Sequence, residues 1–128
     1  MRRRKLLIAD DSEMNRAILA NVLDQEFEVI EATNGQEVII ALQSYGTQIS
    51  ALLLDIVMPE MDGFEVLEEM NRRHWIEDIP TIMISAETSN TYIDRAFELG
   101  ASDYISRPFV PGIVRRRIIN TILLHTKK

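Results

Sequence analysis

Asp10 and Asp11 close the apolar run Leu6-Leu7-Ile8-Ala9, and Asp55 closes Ala51-Leu52-Leu53-Leu54. Ser85 closes Thr81-Ile82-Met83-Ile84, and Arg107 follows the shorter run Asp103-Tyr104-Ile105. If these runs are parallel strands of one sheet, three carboxylates, a hydroxyl and a guanidinium meet on one rim although the chain separates them widely. Three acids packed together repel, and their pKa values rise unless a cation compensates; an all-oxygen ligand set suits Mg²⁺, or Mn²⁺, best. Mg²⁺ keeps several waters and commonly bridges one or two carboxylates to a phosphate, so the cluster suits the delivery of a phosphoryl group to a carboxylate. Asp55 is the best candidate nucleophile because it ends the most buried strand at the centre of the site. Ser85 can donate a hydrogen bond to one phosphoryl oxygen while Arg107 neutralises another.

Taken singly, each element has an ordinary reading. Asp10-Asp11-Ser12 can cap a helix and meet its dipole, Asp55 can be a strand end facing water, and Ser85 can be a turn residue. The weight lies in their agreement at one rim.

The elements that must position these groups follow from an alternation of short apolar runs with longer amphipathic ones, the mark of a parallel sheet covered on both faces. Leu6–Ala9 reads as strand one. Ser12 caps a helix from about Glu13 to Asp24, with Met14, Ile18 and Val22 four apart. Phe27–Ala32 is strand two. Asn34-Gly35 turns into a helix carrying Val38, Ile39 and Leu42, which Gly46 ends. Ala51–Leu54, unbroken apolar sequence, is a central strand three. Pro59 and Gly63 bracket a turn before a helix bearing Phe64, Leu67 and Met70 that fades at Asn71-Arg72-Arg73, with Trp75 packing at its end. Thr81–Ile84 is strand four. Thr88 or Ser89 opens helix four, which closes at Leu99-Gly100, and Asp103–Ile105 is strand five. Pro108 halts it, and Pro111 starts a last helix, helix five, with Ile113, Val114, Ile118, Ile122 and Leu123 on its apolar side. Five such units make an open, doubly wound α/β sheet; a barrel needs about twice the length. The order 2-1-3-4-5, assumed from the fold type, sets strands one and three side by side at the switch point where ligands of such sheets bind.

With 128 residues the chain suits a single domain over 1–128, and no Pro/Ser-rich stretch marks an internal boundary. The absence of cysteine excludes disulfides and thiol chemistry and fits a reducing, cytoplasmic setting. The net charge of −6 argues against nucleic-acid affinity, and the basic patches at the two ends read as solvated termini. The apolar run after Met1-Arg2-Arg3-Arg4-Lys5 is too short for a signal peptide, and no stretch approaches the roughly 20 apolar residues of a membrane span. His74 and His125 show no ligand spacing and read as surface residues.

Taken together, Leu7-Ile8-Ala9-Asp10-Asp11-Ser12, Leu54-Asp55-Ile56-Val57-Met58-Pro59-Glu60-Met61-Asp62-Gly63, Ile84-Ser85-Ala86 and Gly100-Ala101-Ser102-Asp103-Tyr104-Ile105-Ser106-Arg107-Pro108-Phe109 closely resemble the CheY-like receiver domains of two-component response regulators, over essentially the whole chain. The resemblance implies that Asp55 takes phosphate from a histidine kinase or phosphotransfer protein. It also implies Mg²⁺ held by Asp11, Asp55 and the Val57 carbonyl, and by Asp10 through water. Ser85 and Tyr104 are then the switch pair that reshapes the surface of helix four, strand five and helix five, a two-state element biased by a local charge event. Val57 and Glu87, flanking the site, are implied to tune hydrolysis. The chain departs at Arg107, where the family normally carries lysine; a planar, forked guanidinium does not freely replace a compact ammonium. A cis bond before Pro108, as in the family, would aim Arg107 inward.

The alternative reading is a degenerate receiver that binds a partner without phosphate, supported only by Arg107. A haloacid-dehalogenase-like phosphatase wants a second acid two positions after the nucleophile, where this chain has Val57, and a flavodoxin-like redox role lacks its phosphate loop. The last helix carries Arg115-Arg116-Arg117 beside a broad apolar stripe. Continuation into an output domain, homodimerisation through helix four, strand five and helix five, and a solvated helix packed on the sheet all remain open for it.

Overall fold

Two apolar periodicities, offset by one residue, build this sheet from both sides. The computed structural model describes residues 3–126; Met1, Arg2, Lys127 and Lys128, and with them the outer ends of the basic termini, lie outside the described residues. Its strands are β1 (Arg4–Ala9), β2 (Phe27–Ala32), β3 (Ile49–Leu54), β4 (Thr81–Ser85) and β5 (Asp103–Ser106). Its helices are α1 (Glu13–Leu23), α2 (Gly35–Tyr45), α3 (Gly63–Arg72), α4 (Asn90–Glu98) and α5 (Pro111–Thr126), with a short 3₁₀ turn at Gly46–Gln48. All strand pairs are parallel, in the expected order β2-β1-β3-β4-β5.

Successive side chains of a strand point to opposite faces. Leu7, Ala9, Leu52, Leu54 and Met83 therefore pack with Val38, Leu42, Leu67, Met70 and Ala96, under α2, α3 and α4. Leu6, Ile8, Ala51, Leu53 and Ile82 pack with Leu19, Leu23, Val114, Ile118 and Ile122, under α1 and α5. The unbroken apolar sequence of β1 and β3 is thus what burial on both faces requires.

Four helices start on the side-chain caps that their sequences offer. Ser12, Asn34, Asp62 and Ser89 each accept the backbone N–H three residues on, and Asp62 with Glu65 completes a capping box. Gly100, at φ +102°, ends the α4 segment in backbone that glycine favours.

The expected apolar faces of two helices need correction. In α1, Met14 and Ile18 are 72% and 41% exposed, and the buried positions are Leu19 and Leu23. Two apolar rows lie about 100° apart on this helix, and the row holding the leucines takes the sheet. In α5, Val114, Ile118 and Ile122 form the buried row, whereas Ile113 and Leu123 flank it at 54% and 47% exposure. Strand β3 also begins earlier than Ala51, at the buried Ile49.

His74 is exposed and His125 half-buried, while Trp75 packs beyond α3 with the Arg73 guanidinium 4.9 Å above its ring. No helix among the described residues is long and apolar enough to cross a membrane.

Candidate functional site

Strand register carries the distant acids to one place. Ala9 pairs with Leu54, and Asp55 N–H donates to the Ala9 carbonyl at 2.9 Å, so Asp10 and Asp55 leave adjacent strands side by side. Ser85 pairs with Ser106, and Arg107 N–H donates to the Ser85 carbonyl at 2.9 Å, so Arg107 turns off the sheet at the same edge. The Arg107–Pro108 bond is cis. Asp10, Asp11 and Asp55 each offer a carboxylate oxygen within 4.8 Å of the others. Asp10 and Asp55 are buried, and Asp11 is exposed.

The contacts within the cluster divide the roles of its oxygens. Asp10 Oδ1 accepts Ser12 N–H at 2.8 Å, and Asp10 Oδ2 accepts from Arg107 Nη2. Asp55 Oδ1 accepts Ile56 N–H at 2.7 Å, leaving Oδ2 facing Arg107 Nη1 at a looser 3.4 Å. Burial pushes the Asp55 carboxyl from 3.8 up to about 6; Arg107 opposes the rise, Asp10 adds to it, the Ile56 N–H opposes it and Asp11 adds a little more. A single guanidinium faces this cluster of three acids. Three hard oxygen donors of which one faces solvent fit a partly hydrated divalent cation of the Mg²⁺ type.

The loop after Asp55 explains the Met58-Pro59-Glu60-Met61-Asp62-Gly63 sequence. Gly63 N–H donates to the Ile56 carbonyl at 2.8 Å, and a Cβ at Gly63 would stand 2.4 Å from the Asp55 carbonyl oxygen. Only glycine lets α3 begin against the backbone of the candidate nucleophile. Val57, in this loop, is 61% exposed.

Ser85 is buried, and its hydroxyl accepts Glu87 N–H at 3.1 Å. Tyr104 is buried as well, more fully than an edge-strand aromatic need be, and donates its phenol to the Glu87 carbonyl at 2.6 Å. Burial raises the phenol pKa above its ordinary value, the Ser85 hydroxyl draws it back down, and the charges of Glu87 and Asp55 raise it further. Ser85, Glu87 and Tyr104 thus form one hydrogen-bonded group beside Asp55.

Two features escaped the sequence reading. Arg16, in the first turns of α1, donates to the Asp10 carbonyl at 2.6 Å and pairs with Glu31 on β2 at 2.9 Å, which holds the acid-bearing loop from outside. Its signal was an arginine four residues past the Ser12 cap, too common to single out. Phe64 meets Tyr92 edge-on at 5.5 Å, and the Arg95 guanidinium sits 4.5 Å over the Phe64 ring. This latch of α3 to α4 has no local sequence pattern.

A sequence model described as response regulator receiver domain matches residues 6–119. Response regulator RR06 of Streptococcus pneumoniae is 40% identical over 114 residues, 88% of this chain and 50% of that protein. The transcriptional regulatory protein SrrA of Staphylococcus aureus is 39% identical over 116 residues, 89% of this chain and 46% of that protein. The chain therefore spans about half the length of these curated relatives. Among solved structures, a CheY-like receiver domain protein from Methanospirillum hungatei superposes with a TM-score of 0.89 at 23% identity, covering 98% of both chains, and bears on the fold alone. The chemotaxis protein CheY4 of Vibrio cholerae superposes with a TM-score of 0.85 at 26% identity, covering 94% of this chain and 99% of that one.

Proposed function

Because this chain belongs to the response regulator receiver domains, the phosphoacceptor modules of two-component signalling, we propose that Asp55 is its phosphoacceptor, served by Asp10, Asp11, Ser85 and Arg107. The observation that carries this reading is the meeting of three carboxylates within 4.8 Å at the ends of β1 and β3, with Arg107 turned onto two of them. Nothing in the arrangement favours the degenerate, phosphate-independent alternative.

In this reading Asp55 Oδ2 attacks phosphorus, because Oδ1 is held by the Ile56 N–H. A P–O bond forms to Asp55 as the P–N bond of the donor phosphohistidine breaks, and the electron pair leaves with the imidazole. Burial keeps the carboxylate poorly solvated and so reactive. Asp11, Asp55 and the Val57 carbonyl would hold the divalent ion, with Asp10 reaching it through water; when bound, Mg²⁺ supplies charge neutralisation and orientation at the phosphoryl oxygens. Arg107 and the Ser85 hydroxyl each take a phosphoryl oxygen, the positioning and charge stabilisation that phosphoryl transfer mainly requires. Recruiting Ser85 for this role removes the acceptor of the Glu87 N–H, and Tyr104 is bonded to the same residue, so the switch pair passes the event to α4 and β5.

A histidine kinase or phosphotransfer protein is the donor by family chemistry. An output domain in a longer chain is supported by the length of the curated relatives outside the matched half. A homodimer through α4, β5 and α5 draws support from Phe97, Leu123 and Leu124, which are exposed apolar residues of those helices. Incubation with acetyl phosphate and Mg²⁺ tests the central assignment: the intact mass should rise by one phosphate, and Asp55→Asn should show no rise.

A further inference from the structure

Arg107 stands where receiver domains normally carry lysine, and it uses a property that lysine lacks. The terminal nitrogens of its fork go to different acids: Nη2 donates to Asp10 Oδ2, and Nη1 faces Asp55 Oδ2 at 3.4 Å. Its Nε is buried and meets no acceptor among the described residues. The side chain is only 19% exposed, so the guanidinium is wedged into the acid cluster and does not wave above it. Asp11, exposed on the rim, takes no part in this pairing.

We propose that Arg107 is a built-in counter-cation that competes with the divalent metal for Asp10 and Asp55, so that this domain binds Mg²⁺ more weakly than it would with lysine at this position. The inference rests on the reading of Asp10, Asp11 and Asp55 as the metal-binding acids. Three clustered carboxylates need positive charge, and a rigid planar fork engages two of them at once with little orientation left to lose. A lysine ammonium is a compact point charge on a flexible stem and is displaced more readily. The two arms are unequal. The contact to Asp55 is the long one, so Asp55 is the acid that Arg107 yields, whereas Asp10 stays with the guanidinium. Asp11, unpaired with Arg107, is the first carboxylate available to an incoming cation.

The test is Mg²⁺ titration of the full chain by calorimetry, repeated with Mn²⁺ by electron paramagnetic resonance, for the wild type, Arg107→Lys and Arg107→Gln. The Kd for Mg²⁺ should fall by a few-fold in Arg107→Lys and on the order of tenfold in Arg107→Gln, where the competing charge is removed. Melting without metal should be lower for Arg107→Gln than for the wild type, and saturating Mg²⁺ should narrow that gap. If Arg107→Gln does not fold, the Arg107→Lys titration decides alone. Wild-type binding that neither substitution tightens overturns the competition and leaves the metal reading standing. No Mg²⁺ binding by any of the three proteins overturns both.

Discussion

Tyr104 donates its phenol to the backbone carbonyl of Glu87 at 2.6 Å, tying β5 to the loop that leads from β4 into α4. The residue whose carbonyl it holds is the one whose N–H is bound by the Ser85 hydroxyl at 3.1 Å. In the proposed function, a movement of Ser85 toward a phosphoryl group at Asp55 would be felt at Tyr104 through one residue.

Tyr104→Phe keeps the ring in the core and deletes the donor. Urea unfolding should show a loss of about 1 kcal/mol, the usual value for one hydrogen bond with a buried partner. Phosphate uptake at Asp55 should persist. Unchanged stability would mean that the phenol contributes nothing to holding the loop.

The pKa of Asp55, about 6 against an ordinary 3.8, makes a stability prediction with a definite sign. The folded protein binds this proton more tightly than the unfolded chain. Metal-free stability attributable to Asp55 is therefore complete below about pH 4, falls as pH rises, and has reached its full loss above about pH 6. Asp55→Asn removes the cost of the buried charge together with the Arg107 contact, so without metal it should be more stable than the wild type at pH 7.5 by about 1–2 kcal/mol. The advantage should shrink toward zero at pH 4. Denaturant melts at the two pH values check this, and an equal difference at both would contradict it.

Much of the fold was legible because most strands and caps announce themselves locally: Ser12, Asn34 and Ser89 were readable as helix starts, and Leu52-Leu53-Leu54 as a doubly buried strand, whereas the cap at Asp62 went unread inside the turn between Pro59 and Gly63. The choice between two apolar rows on α1 was not legible, because Met14 and Leu19 differ in position relative to a sheet that only the tertiary fold supplies. The gathering of Asp10, Asp11 and Asp55 followed from the strand ends once the strand order was assumed from the fold type. The division of Arg107 between two acids, the Arg16 clamp on Asp10 and the Phe64–Tyr92–Arg95 latch depend on side-chain directions across elements that no spacing encodes.

Two glycines should respond oppositely to alanine. At Gly63 the new methyl would collide with the Asp55 carbonyl oxygen at 2.4 Å, so Gly63→Ala should cost about 2 kcal/mol or more and weaken Mg²⁺ binding by displacing Asp55. At Gly112, in the first turn of α5, nothing lies within 4 Å, and Gly112→Ala should add about 0.5–1 kcal/mol. Thermal melts of both variants check the contrast; a neutral Gly63→Ala would show that the loop below Asp55 yields easily.

Asp11 is exposed, so Asp11→Asn should leave the fold intact and selectively remove the response to metal. Saturating Mg²⁺ at about 100 times its Kd should stabilise the wild type by about 2.7 kcal/mol, a gain that chelation reverses and that Asp11→Asn largely lacks. The wild-type gain should also decline as pH falls below about 6, because a protonated Asp55 is no ligand. A full Mg²⁺ response in Asp11→Asn would remove Asp11 from the metal set.

The most direct measurement is the position of the phosphoryl group. After incubation with acetyl phosphate and Mg²⁺, borohydride reduction of the acyl phosphate and tandem mass spectrometry of the peptides should find the reduced side chain at position 55 alone, and nowhere once Mg²⁺ is chelated. Reduction at Asp10, Asp11 or another carboxylate, or none from either acetyl phosphate or a phosphorylated histidine kinase, would contradict Asp55 as the acceptor.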